Sequence, residues 1–384
     1  MINPARAGGR DASLNRFRRT PILMQDIDLS RRWRLPLLAL GAASLALGIL
    51  GGLWRIGWDI PLPGTQPATF HGALLVSAFF GTVIGLERAV AYGRRAAYLG
   101  PLCAACGGIA TAWGAPHLLA AGLLLVGSGV LAATTYAIHR RQAAPHLLIL
   151  LVGALCGVVA NLLWLVGLPA SDAVGAWAGF LVLTISGERI EHAHLRRPSA
   201  AALKTQTLLA ALCGAGAATL PFHWQAGSMI LGLSLLGFAL WLLVNDVARR
   251  NLRHGGALRF GAICLVDGYF WLALGGLLLP FAAPGGLVYD AALHAVFLGF
   301  VFAMVMGHAL DIVPNVLGSA VVYTPLLYAH VVLLNATLLL RGAGDLAQRA
   351  DWRTWGGVGN ALAIALFLAA TLVGALRGRK SAAA

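Results

Sequence analysis

The chain has 384 residues, of which 59% are apolar and only 11% are charged, and its formal net charge is +14. This composition excludes a water-soluble globular protein and predicts an all-α integral membrane protein. Nucleic-acid binding is not expected, because the basic residues are spread among short turns between apolar segments instead of forming one basic domain.

Apolar segments of spanning length recur along the whole chain, and we read about twelve transmembrane helices, each near the ~20 residues that cross a bilayer. The segments are 35–54, 70–92, 97–114, 117–138, 146–167, 173–192, 203–220, 226–245, 259–279, 288–311, 321–340 and 355–376. They predict one transmembrane domain over 35–376, with a basic tail at 1–34 and a short tail at 377–384.

The basic residues predict the orientation. If the N-terminus is cytoplasmic, all but four of the 28 Lys and Arg residues lie on the cytoplasmic side, so both termini are expected there. The four exceptions are Arg55, Arg341, Arg349 and Arg353, and three of them fall in the last outer loop.

Every fourth segment, counted from the second, shares a pattern. Segments 2, 6 and 10 each have an apolar body and then a glycine near a charged or imidazole group at the inner end. These groups are Glu87, Glu188 and His308. The pattern suggests a threefold repeat of four-helix units.

Two histidines mark an outer layer. His71 and His294 lie at matching depth near the outer ends of segments 2 and 10, where two imidazoles can clamp a haem iron from opposite faces. The chain has no Cys-x-x-Cys-His sequence, so the haem would be b-type. Asp290, one turn before His294, is placed to orient that imidazole. The alternative is that both histidines merely sit at the membrane interface.

A second set of polar residues lies toward the cytoplasmic ends of segments 2, 6 and 10. Its members are Glu87, Glu188, His192, His194 and His308, carboxylates and imidazoles of the kind that bind copper or another first-row metal ion. The alternative is structural, with the glutamates and nearby arginines neutralising each other across helices. A proton or ion path is the third possibility.

The helix number, the repeat and the outer histidines of segments 2 and 10 together resemble subunit I of the haem-copper oxidases. That resemblance implies a low-spin haem on His71 and His294. The chain length, the glycine- and histidine-rich helices and the short loops are similar to the NnrS family of haem- and copper-containing membrane proteins linked to nitric oxide stress. The likeness covers the whole chain as architecture. Segments 6 and 7 lack the histidines of the oxidase copper site, so oxygen reduction is not expected.

The resemblance implies a haem protein of the bacterial inner membrane that transfers electrons from an electron donor or acts in nitric-oxide-related redox stress, with the lipid bilayer as its surroundings. The alternative is a metal-ion or proton-coupled transporter whose path follows the inner glutamates and histidines. The sequence leaves enzymatic activity open.

Overall fold

The computed structural model describes residues 29–194, 199–317 and 320–383, with side chains at 31, 192–194, 315–317 and 379–383 outside the description. Every regular element in these ranges is a helix. The long helices, numbered in chain order, are α1 (Arg31–Arg55), α2 (His71–Tyr92), α3 (Leu99–Ala112), α4 (His117–Arg141), α5 (Pro145–Leu165), α6 (Ala170–His194), α7 (Ala200–Thr219), α8 (Trp224–Asn245), α9 (Gly256–Leu278), α10 (Leu287–Pro314), α11 (Leu327–Leu346) and α12 (Ala350–Ala383).

Ten of the described helices are long and apolar enough to cross a bilayer. The long helices outside that group are α3, which has only 14 residues, and α7. Large apolar side chains on the outside of the bundle, such as Leu118 at 73% exposure and Val244 at 68%, would be costly in water and are suited to lipid. The chain is a multi-pass helical membrane protein.

Glycines let neighbouring helices approach closely. Gly232 of α8 and Gly276 of α9 face each other, and a Cβ on Gly276 would lie 2.6 Å from the carbonyl oxygen of Gly232 and 2.7 Å from the backbone nitrogen of Leu236. Such contacts are how membrane helices gain packing energy without a hydrophobic driving force between them.

Helix α11 is shifted along the chain relative to its predicted segment. The apolar run predicts 321–340, but the helix spans Leu327–Leu346. Pro325 disfavours helical backbone in the residue before it, which moves the start downstream. The helix continues past the apolar run because Arg341 and Asp345, which hydropathy alone would assign to a loop, are buried among charged partners.

The terminal helices extend beyond the predicted apolar segments. Helix α1 begins at Arg31 and α12 runs to Ala383, so the predicted tails at 1–34 and 377–384 are partly helical. Backbone hydrogen bonds continue as readily in the headgroup region as in hydrocarbon, and long basic side chains can reach water from there. Residues 1–28 lie outside the described residues.

Candidate functional site

His71 and His294 line the same cavity. It has a volume of about 530 Å³ and lies among α1, α2, α6, α10, α11 and α12. That volume is within the ~300–1,000 Å³ range of small-molecule and cofactor sites. The structure therefore brings together the two histidines that the sequence paired by depth.

Each of these histidines lies shortly before an irregular stretch of helix: His294 is adjacent to its stretch, and Gly72 and Ala73 separate His71 from the other. In α2 the π-helical segment is Leu74–Phe80, and in α10 it is Ala295–Phe302. Helix α6, the middle member of the predicted repeat, is α-helical from Ala170 to His194. π-Helical turns are rare in proteins, and those that occur are often found at functional sites. Sequence reasoning missed both segments, because helical propensity and hydropathy do not distinguish a π-turn from an α-turn.

Helix α10 fixes the orientation of the His294 ring. Its Nδ1 atom lies 2.8 Å from the backbone carbonyl oxygen of Asp290, and the Asp290 carboxylate is 3.4 Å away. A carbonyl can only accept, so Nδ1 carries the proton and donates it, which leaves the Nε2 lone pair available as a ligand. The sequence predicted an orienting role for Asp290; its carbonyl makes the close hydrogen bond, and its carboxylate lies beside the ring.

The His71 ring has a similar relation to the turn before it. Its Nδ1 atom is buried and makes no well-formed hydrogen bond, while the backbone carbonyl of Ala68 interacts with the ring. A buried polar atom in this state calls for an explanation by function or by a missing partner.

The walls of the cavity are aromatic and glycine-rich. Phe70, Trp164, Trp177, Tyr289 and Phe297 contribute rings. Gly52 and Gly72 also line it: a Cβ on Gly52 would be 3.9 Å from the His71 ring, and one on Gly72 would be 3.8 Å from Trp177. Flat apolar walls of this kind suit a large planar ligand.

Charged residues concentrate at one end of the cavity. Arg341 donates from Nη2 and Nε to Asp290 Oδ2, at 2.7 and 3.2 Å, and Arg353 Nη2 lies 3.6 Å from Asp290 Oδ1. Arg55 also lines the cavity and makes no hydrogen bond or ion pair with a described residue. Three of the four arginines that break the positive-inside pattern are therefore cavity residues. The fourth, Arg349, pairs with Asp351 on the surface.

At the opposite end of the bundle, a basic residue of α2 and an acidic residue of α6 are paired across helices. Arg88 of α2 donates to Glu188 of α6 at 2.6 Å. This pair fits the structural alternative that the sequence left open for Glu188. Glu87 interacts electrostatically with both members of this pair, Arg88 and Glu188.

Arg189 and His308 belong to a second inner network. Arg189 makes a two-pronged ion pair with Asp246, both contacts at 2.7 Å, and Tyr269 donates to the same carboxylate at 2.8 Å. Burial alone would raise the pKa of the Asp246 carboxyl, but the hydrogen bonds and charge of Arg189 outweigh burial and hold that pKa below 3.8. His308 Nδ1 donates to the Met304 carbonyl at 2.7 Å, and its Nε2 accepts from Arg189 at 3.1 Å.

These contacts bear on the predicted inner metal site. Both ring nitrogens of His308 are engaged, and among the residues that the structure describes no three His, Cys, Asp or Glu side chains cluster as a metal site. The side chains of His192 and His194 lie outside the described residues, so the predicted site stays a prediction. Asp246, in a short turn, gave no sequence signal of its role in this layer.

The fold and the cavity define the class of protein. It is a multi-pass helical membrane protein whose bundle contains a cavity with aromatic walls and a cluster of charged residues at one end. The chain belongs to the family described as Domain of unknown function (DUF8744), whose model matches residues 34–376. None of the curated proteins matches the chain.

Proposed function

We propose that this protein is a b-type haem protein that transfers electrons, with His71 and His294 as the two axial ligands. The observation that carries the proposal is that both histidines line one cavity of about 530 Å³, and that a π-helical segment begins within three residues after each of them. Bound haem supplies a one-electron couple between iron(III) and iron(II).

The residues around the cavity fit that group. The aromatic and glycine-rich walls suit a porphyrin face, and the hydrogen bond from Nδ1 of His294 leaves its Nε2 atom for the iron. Haem b carries two carboxylates, and Arg55 is an exposed cation at the cavity without a described partner. If His71 and His294 both held the iron, no free coordination position would remain for a gas, which favours electron transfer as the role.

The finer architecture is part of the same proposal. Helices α3 and α7 would also cross the bilayer, which makes twelve spans, a threefold repeat of four-helix units and two cytoplasmic termini. The arginine distribution supports this orientation. The resemblance to the NnrS family and to haem-copper oxidase subunit I supports a place in the bacterial inner membrane and a role in nitric-oxide-related redox stress.

The visible spectrum of the detergent-purified protein tests the haem. Protein from haem-supplied cells should show a Soret band and sharp reduced α and β bands. His71→Ala and His294→Ala should each abolish the low-spin spectrum, and His254→Ala, which changes an exposed histidine away from the cavity, should leave it intact. A colourless wild-type protein, or one whose spectrum survives both cavity substitutions, would overturn the assignment.

The transporter alternative has less support. Glu188 is held in an ion pair with Arg88, and His308 contacts Arg189, so these members of the predicted path are engaged in helix-to-helix contacts. The inner copper or first-row metal site stays a separate prediction. Metal analysis of the wild type beside Glu188→Gln and His308→Ala tests it, and equal metal content in all three would exclude these residues as ligands.

A further inference from the structure

A second, smaller cavity lies on the other side of α10. It has a volume of about 220 Å³ and is lined mainly by apolar side chains of α9 and α11, among them Trp271, Leu274, Leu278 and Leu338. A cavity of that size suits one substituted six-membered ring, not a porphyrin.

This cavity opens toward lipid. Leu339 and Leu346 line it and are 54% and 58% exposed on the outside of the bundle. Since exposed leucines of a spanning helix face hydrocarbon, an apolar molecule dissolved in the bilayer can reach the cavity without crossing water.

The inner wall of this cavity is polar and is shared with the larger one. His294 and Arg341 line both cavities, and Asp345 lines the smaller one. The Asp345 carboxylate is fully buried and accepts no hydrogen bond from a described donor. Its ion-pair contact is with Arg353 Nε at 3.1 Å, whose N–H does not point at it.

A buried carboxylate on an apolar wall needs a hydrogen-bond donor. Arg341 directs its hydrogen bonds to Asp290, and the Asp290 carboxylate beside Asp345 has no N–H to donate. The cluster therefore leaves acceptor capacity on Asp345 for a ligand. Membrane quinols are lipid-soluble molecules that carry a ring with hydroxyl donors, which is the chemistry that an apolar cavity with a buried carboxylate can bind.

We propose that the cavity between α9, α10 and α11 binds the ring of a membrane quinol, with Asp345 accepting a hydrogen bond from a ring hydroxyl. The electron-donor role of this quinol rests on the proposed haem function. Oxidation of one quinol to quinone would release two protons, by way of Asp345 to the aqueous phase, and two electrons. The electrons would pass one at a time to the haem that His71 and His294 would hold, and a one-electron acceptor would reoxidise that haem between the two transfers.

Photolabelling of the full-length protein in detergent with an azido-substituted ubiquinone tests the binding site. The label should map to peptides of α9 and α11, and excess decylubiquinol should compete it away. Asp345→Asn should weaken that competition by about tenfold, because it replaces one acceptor oxygen of the carboxyl group with an amide nitrogen, which cannot accept. Leu339→Trp should block the lipid-side opening, whereas Leu362→Trp, a similarly exposed leucine of α12 outside both cavities, should not.

The outcomes separate this inference from the haem proposal. Specific labelling of a colourless protein would support the quinol site and overturn the haem. A haem spectrum with labelling that is equal in Leu339→Trp and Leu362→Trp would overturn the quinol site alone. Leu339 is exposed, so its replacement leaves the core intact and loss of labelling cannot be assigned to misfolding.

Discussion

One carboxylate, that of Asp290, contacts three charged or imidazole side chains at the end of the bundle where the large cavity lies. Asp290 accepts from Arg341, lies near Arg353 and stands beside the His294 ring. The carboxylate is mostly buried, so its negative charge is stable only while the guanidinium groups compensate it. The same contacts hold the start of α10 against α11, which is why the orientation of His294 is tied to residues on another helix.

Arg341→Gln should expose this dependence. Removing one partner leaves a buried carboxylate with weaker compensation, and we expect a loss of about 3 kcal/mol in the free energy of unfolding. Thermal unfolding in detergent measures it. Arg349→Gln is the control, because its ion pair with Asp351 is exposed, and its melting temperature should match the wild type. Equal melting temperatures for the two variants would contradict the importance of the Asp290 cluster.

Asp246 should give the protein an acid-dependent loss of stability. Because its pKa is lower in the folded state, the carboxylate stabilises the fold above its unfolded pKa, and this contribution is lost as the pH falls through the folded pKa. The loss should begin below roughly pH 4.

The variant Asp246→Asn tests this linkage. It should lower the melting temperature at neutral pH, and its melting temperature should fall less steeply in acid than that of the wild type. Asp59→Asn, which changes an exposed carboxylate, should follow the wild-type curve at all pH values. Parallel acid curves for Asp246→Asn and the wild type would refute the contribution of this carboxylate.

At the scale of helices, the apolar runs predicted where the chain would be helical, and the charged residues predicted where it would not be. The first inference was accurate because backbone hydrogen bonds must be satisfied within each segment in lipid. The second was wrong for α11, because Arg341 and Asp345 are buried among partners on α10 and α12 that no local pattern can reveal. His71 and His294 could be paired from depth alone, whereas Asp345 and the π-helical segments could not be identified.

The close packing of α8 and α9 at Gly276 can be tested by substituting this glycine with alanine and comparing it with the same substitution at an unpacked glycine. Gly276→Ala would place a methyl group against the backbone of α8, which cannot move aside, and should cost about 1–3 kcal/mol. Gly129→Ala in α4 meets no atom within 4 Å and should be neutral or stabilising by about 0.5 kcal/mol, since alanine favours helix. The melting temperatures of the two variants measure this difference in stability. A Gly276→Ala variant as stable as the wild type would show that α8 and α9 can move apart.

For the whole molecule, composition alone identified the membrane, and the arginines predicted the orientation. The arginines that depart from this pattern are explained by tertiary structure: Arg55, Arg341 and Arg353 line a cavity. Charge counting treats every basic residue as a topological signal, so it cannot recognise arginines that line a cavity between helices. The number of crossings depends on the two helices that fall short in length or apolarity, α3 and α7.

Reporter insertions can count the crossings. If α3 and α7 span, reporters after Ala115 and Phe222 should lie outside the cytoplasm, and reporters after Gln142 and Arg253 should lie inside. Alkaline phosphatase activity reports the outer positions, and green fluorescent protein reports the inner ones. Reporters after Ala115 and Gln142 that fall on the same side would contradict spanning by α4, and an inner reporter after Ala115 would exclude spanning by α3.

The large cavity is formed by the ends of α1 and α11 and the starts of α2, α10 and α12, so all of its charged residues lie at one end of the bundle. A unit charge that crosses the whole membrane voltage exchanges about 2.3 kcal/mol per 100 mV. An electron that arrives and leaves at this end crosses almost none of that voltage. Redox turnover at the cavity would therefore be electrically silent and insensitive to whether the membrane is energised.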